Sequence, residues 1–275
     1  MATYRLTIEY EGTRYRGWQE QRNARSVAGA LRRAIEEAAG GPVELGGAGR
    51  TDAGVHALAQ VAHLRLAREL PAAPLRHAVN ELLPADIHVL ALDPAPPRFH
   101  ARHAAAARSY LYQVATRRTA LAKRFVWWVR EPLDVARLER AVALLPGRHD
   151  FAAFCEKPAA QASTLVVVER AEVATAGALV LLRLVASHFL WKMVRRLTGA
   201  LVRVGAGQLA VDALASLLAG GVPPPAGGTP AEWTAPPSGL FLERVLYPGD
   251  PPLGPLVPAV PVPDEPPPPA AKRHR

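Results

Sequence analysis

Nine consecutive residues, Ala48-Gly49-Arg50-Thr51-Asp52-Ala53-Gly54-Val55-His56, place one carboxylate two positions after an arginine in a glycine-punctuated run. Gly49 and Gly54 permit tight backbone conformations that a Cβ resists, so Asp52 is expected on a turn and not along a helix face. An anion beside a cation suits a site that handles a polyanion while keeping one carboxylate for chemistry. An ordinary Asp-Gly surface turn accounts for the same residues, and local composition leaves both readings open.

Other distinctive segments follow one another along the chain. They are Ile8-Glu9-Tyr10-Glu11-Gly12, Tyr15-Arg16-Gly17-Trp18-Gln19, Asn80 with Leu83-Pro84-Ala85-Asp86-Ile87, and Phe99-His100-Ala101-Arg102. Arg108-Ser109-Tyr110-Leu111-Tyr112, His149-Asp150-Phe151, Phe189 with Met193-Val194-Arg195, and Gly239-Leu240 through Tyr247-Pro248 follow. With the aspartate run, this series resembles the TruA family of tRNA pseudouridine synthases from about Tyr4 to Pro248.

The resemblance implies isomerisation of uridine to pseudouridine in the anticodon stem-loop of tRNA, at positions 38 to 40 in tRNA numbering. It implies Asp52 as the essential nucleophile or base, with Arg195 as the cation that keeps it ionised. Arg50 would occupy the space left by the flipped base, and Tyr110 would pack against that base. Thr51, His56 and Arg102, in the matched segments, are assigned to substrate binding. The implied fold is α+β: two ferredoxin-like α/β halves with antiparallel sheets joined around a central basic cleft. A homodimer binding one tRNA across both subunits is implied as well. The reaction changes no redox state and transfers no group, so no cofactor is expected. Two departures stand out: Ala28 replaces the family's usual glutamine, and Leu190-Trp191-Lys192 is an unusual run. The alternatives are a relative that modifies other RNA uridines, or a non-catalytic RNA-binding module.

Other chemistry fits less well. Gly47-Ala48-Gly49 lacks both a third glycine at the required spacing and a following Gly-Lys-Ser/Thr, so a nucleotide-phosphate cradle is not expected. His56, His63, His100 and His103 lack the carboxylate or thiol spacing of a metal site. A carboxylate buried under a base needs a nearby cation to stay charged. Helical periodicity does not choose between Arg195 and Arg196 for that role; the resemblance selects Arg195. Lys192 and Arg203 fit a solvated helix edge.

The 275 residues carry a formal charge of +9 and an isoelectric point near 10.3, which points to an anionic partner, nucleic acid first. The single cysteine, Cys155, excludes an internal disulfide and a cysteine-cluster zinc site. No secretion signal pattern or membrane-length apolar run is visible, so a cytoplasmic protein is expected.

The elements that must position these residues follow from periodicity. Strands are expected at 3–10, 43–45, 60–66, 88–93, 108–116, 166–173 and 178–187. Helices are expected at 26–39, 74–83, 134–145, 189–204 and 211–218. Pro94-Ala95-Pro96-Pro97 marks a seam, giving an N-terminal half 1–104 with the aspartate loop and a C-terminal half 105–248. The proline-dominated tail, 249–275, is expected to be extended or disordered.

Overall fold

The computed structural model describes residues 1–156, 163–221 and 227–264. Its first half runs β1 (Ala2–Tyr10), α1 (Val27–Ala39), β2 (Glu44–Gly47), β3 (His56–Leu66), α2 (Ala72–Leu82) and β4 (Ile87–Pro94). The second half begins with β5 (Ala107–Ala115), β6 (Trp127–Trp128), α3 (Val135–Val142), β7 (Gly147–Asp150) and β8 (Leu165–Ala176). It ends with β9 (Leu179–Ala186), α4 (Met193–Gly205), α5 (Val211–Leu218) and β10 (Leu240–Leu246).

Local sequence explains these elements. In β1, Tyr4, Leu6, Ile8 and Tyr10 alternate with polar residues and are all buried. Ser26 caps α1 by accepting the Gly29 N–H, and Gly40, at φ 72°, ends the helix in the left-handed conformation. Asp134 caps α3 in the same way as Ser26 caps α1.

Both halves use the same strand order. In the first, β4–β1–β3 form an antiparallel ladder, with β2 on the far edge of β3. In the second, β10–β5–β9–β8 repeat that order, and β7 extends the outer edge. One short parallel contact, Phe241↔His56 and Leu242↔Ala57, joins the halves into a single sheet. β3 therefore shares its free edge between β2 and β10, and the aspartate run lies where one partner gives way to the other.

Helices cover one face of the sheet, and their core includes Leu6, Ile35, Leu64, Tyr112, Leu182, Leu197 and Leu214. The opposite face of the second half has its own apolar cluster, including Leu111, Leu179, Leu181 and Phe241. The tail segment 249–264 runs across that cluster, which corrects the expectation of a disordered tail for these residues. Val262 is buried there, and its carbonyl accepts the Ala178 N–H at 2.9 Å. The Gln113 side chain accepts from Ala259 N, and Arg183 donates to the carbonyls of Gly254 and Pro255. Proline removes backbone donors but leaves carbonyl acceptors, so buried side-chain donors in the sheet can hold such a chain. Residues 265–275, including the basic tip, lie outside the described residues.

Helix α4 starts at Met193, four residues later than expected. Residues 190–193 form a turn closed by Met193 N–H to the Leu190 carbonyl, with Lys192 at φ 62°. Phe189 instead packs edge-on against Tyr110, with ring centroids 5.0 Å apart. Among the described residues, no helix is long and apolar enough to cross a membrane.

Candidate active site

The aspartate run is a loop between β2 and β3 with most of its backbone tied down. Ala48 N–H donates to Val61 O, Gln60 Nε2 donates to Gly49 O, and Arg108 Nη2 donates to Ala48 O at 3.0 Å. Trp18 N–H reaches the Thr51 carbonyl, Gly54 N–H reaches the Tyr15 carbonyl, and Val55 N–H closes a turn onto the Asp52 carbonyl. Gly54 has φ +79°, the left-handed conformation expected of it, whereas Gly49 stands in open space at ordinary φ. Asp52 is thus held on a rigid turn with its side chain 25% exposed.

Arg195 comes to meet it from the other half of the molecule. Its Nη1 donates to Asp52 Oδ2 at 3.2 Å, across 143 residues of sequence. Its Nε donates to the Ala235 carbonyl at 2.7 Å, while Ala235 N–H donates back to the Arg195 carbonyl. The segment carrying Ala235 lies close against α4 because Gly199 lacks a side chain; a Cβ there would sit 1.7 Å from the Trp233 carbonyl oxygen. Arg195 falls in the first turn of α4, which has no acidic residue. A helix N-terminus disfavours a cation, so this placement does not serve the helix. Dipole and guanidinium together favour an anion at this spot.

Tyr110, on β5, is buried, and its hydroxyl makes no hydrogen bond among the described residues. Burial, and then the neighbouring Asp52 carboxylate, push this phenol above its usual range, so it remains protonated at neutral pH. A neutral phenol therefore stands near the Asp52 carboxylate.

The other expected site residues divide. Arg50 and Arg102 are exposed, and the Arg102 carbonyl accepts from Arg108 at 2.7 Å. Thr51 turns inward, its hydroxyl 2.8 Å from that of buried Tyr10, so it anchors the loop and does not face a ligand. His56 also needs correcting. It is 1% exposed, its Nδ1 accepts the Gly12 N–H, its Nε2 meets the Arg124 carbonyl, and its ring packs against both Phe125 and Phe241. With both nitrogens engaged and burial lowering its proton affinity, it is a neutral structural residue. The rings of His63, His100 and His103 follow one another with centroids 4.3 Å apart, each tilted by 41–45° to the next. Among the described residues, no group of three or more His, Cys, Asp or Glu side chains could hold a metal.

A family model described as tRNA pseudouridine synthase matches residues 6–103 and 141–248, so it covers the loop bearing Asp52 and the helix bearing Arg195. The chain belongs to the tRNA pseudouridine synthase family. It is 43% identical over 253 residues to a tRNA pseudouridine synthase A of Mesorhizobium japonicum, covering 90% of this chain and 100% of the relative. Proteins of the same name from Sinorhizobium fredii and Syntrophotalea carbinolica are each 41% identical, over 90% of this chain and 100% and 97% of theirs.

Within this family fold, sequence reasoning missed Arg108. One guanidinium links Ala48 before the aspartate, Arg102 in the inter-half connection, and Ser187 after β9. Its signal was a lone arginine in an otherwise buried strand, where a charge persists only if fully partnered. Arg196 does not approach Asp52, and Arg203 is not the solvated edge expected of it. Arg196 is 9% exposed and donates to the Cys155 carbonyl, and Arg203 lies 5.3 Å over the Trp233 ring.

Proposed function

We propose that this chain converts uridine to pseudouridine in the anticodon stem-loop of tRNA, with Asp52 as the nucleophile or base. The observation that carries this reading is the 3.2 Å contact between Asp52 and Arg195, made across the junction of the two halves. The reaction breaks N1–C1′, forms C5–C1′, moves the C5 proton off the ring and leaves a proton on N1. Atoms and electrons balance with no redox partner and no transferred group. The chain supplies an oriented carboxylate, a guanidinium in contact with it, and a protonated phenol nearby.

A stem uridine must leave its stack before Asp52 can reach it, at a cost of a few kcal/mol. Arg50, exposed on the same loop, fills the space the base leaves. Tyr110 packs against the extruded ring. Arg102 contributes a phosphate contact at the cleft. The protein works in the cytoplasm as a homodimer that grips one tRNA across both subunits. Its basic character and the family to which it belongs support these assignments.

Incubating the purified protein with unmodified tRNA and mapping pseudouridine by position tests the reading. Wild-type protein is expected to modify anticodon-stem uridines, and Asp52→Ala to modify none. A wild type no better than Asp52→Ala would refute it.

A further inference from the structure

Beyond the cleft, the connection between β5 and β6 carries a second concentration of charge. Eight Lys/Arg residues and no carboxylate lie between Asp93 and Glu131. Five of them, Arg117, Arg118, Lys123, Arg124 and Arg130, occupy this connection and its exit, and none forms an ion pair among the described residues. All but Arg117 are exposed. Trp128 stands 37% exposed among them, with the guanidinium of Arg118 5.8 Å and that of Arg130 5.4 Å from its ring. Arg118, Lys123, Val126 and Trp128 line a depression of about 600 Å³.

A solvated charged face accounts for cations alone. It does not account for a large aromatic ring left open between two guanidiniums beside a hollow. Clustered like charges repel one another, and a polyanion relieves that repulsion. A ring flanked by arginines offers a stacking surface to a nucleobase as well.

The surface is preformed and continuous with the aspartate loop. The Arg124 carbonyl meets His56 Nε2 at 2.9 Å, four residues from Asp52. Ser238 Oγ donates to the Val126 carbonyl, and Phe125 packs on the His56 ring. On the other side, Arg117 donates twice to the Pro263 carbonyl of the tail segment, fixing the base of the connection.

We infer that the β5–β6 connection is a second RNA-binding surface, holding a phosphate strand through Arg118, Lys123 and Arg130 and stacking an unpaired base on Trp128. It extends the grip of the site on the tRNA beyond the uridine at Asp52, and so rests on the RNA-modifying reading above.

The test uses the full chain and a labelled unmodified tRNA transcript, with the variants Arg118→Gln/Lys123→Gln, Trp128→Ala and Trp128→Phe. These side chains are exposed or half-exposed at the surface, and unchanged melting curves confirm intact folding. The double variant is expected to weaken tRNA binding and to flatten the dependence of log Kd on log salt by about one per lost phosphate contact. Trp128→Ala is expected to raise Kd and KM roughly tenfold, with Trp128→Phe restoring most of it. The single-turnover rate at saturating tRNA stays within about twofold of wild type, because the surface acts in binding. An active wild type with unchanged Kd, salt slope and KM in both sets of variants overturns the inference, and an acidic protein face becomes the better fit. If the wild type binds tRNA but forms no pseudouridine, the isomerase reading fails; loss of binding in the variants then still supports the surface, and retained binding still overturns it.

Discussion

Arg195 holds Asp52 with one guanidinium nitrogen and the Ala235 carbonyl with another, so its position is set from two sides. Lysine would keep the charge but lose that fork. Arg195→Lys is therefore expected to lower kcat by roughly ten- to a hundredfold with little change in tRNA affinity, measured by single-turnover kinetics beside a binding titration. An equal loss in binding would mean that Arg195 serves the RNA and not the carboxylate. The meeting of Asp52 with Arg195 was legible because their motifs come in a recognisable order. Thr51 and His56 were misread because adjacency in a motif does not say which side chains face a ligand and which anchor the loop. Arg108 was legible only as a buried cation in need of partners: its three carbonyl partners come from segments far apart in sequence, and no local pattern announces which they are.

Periodicity located every long element but not its ends. Phe189 and Leu190 extend the apolar spacing of α4, yet Phe189 packs on Tyr110 and the helix begins only at Met193. Short strands such as β7 and β10 escaped notice because four to seven residues carry little pattern, and their partners are remote. In α4, Gly199→Ala would push a methyl into the Trp233 carbonyl. It is expected to destabilise the fold by about 1–3 kcal/mol and to reduce activity by displacing the segment that holds Arg195, read by melting temperature and turnover. The tail was legible as extended but not as docked. The apolar run 178–186 did carry a hint, since a strand apolar on both faces must be covered on both. Val262→Ala is expected to cost on the order of 1–2 kcal/mol in denaturant unfolding. No change would mean that residues 249–264 leave the sheet in solution.

The two halves repeat one strand order and meet through a single short parallel contact, with the aspartate loop laid over the junction. Any loosening of that junction separates Asp52 from Arg195, so stability and activity are coupled in this molecule. Burial lowers the proton affinity of His56, His63, His100 and His188 in the folded chain. Unfolding returns them to about 6.5, so the unfolded chain binds more protons below that pH. Their contribution is thus complete above about pH 6.5 and declines on acidification. The melting temperature should fall between about pH 7.5 and pH 5.5; a rise over that interval would show that these imidazoles are not held neutral. The most direct test of the central claim joins chemistry and binding in one sample. Release of tritium from C5 of uridine in unmodified tRNA is followed in a single turnover for wild type and Asp52→Asn, with tRNA affinity measured alongside. The wild type is expected to release tritium and Asp52→Asn none, with equal affinity for both. Tritium release by Asp52→Asn at a rate near wild type would contradict the claim.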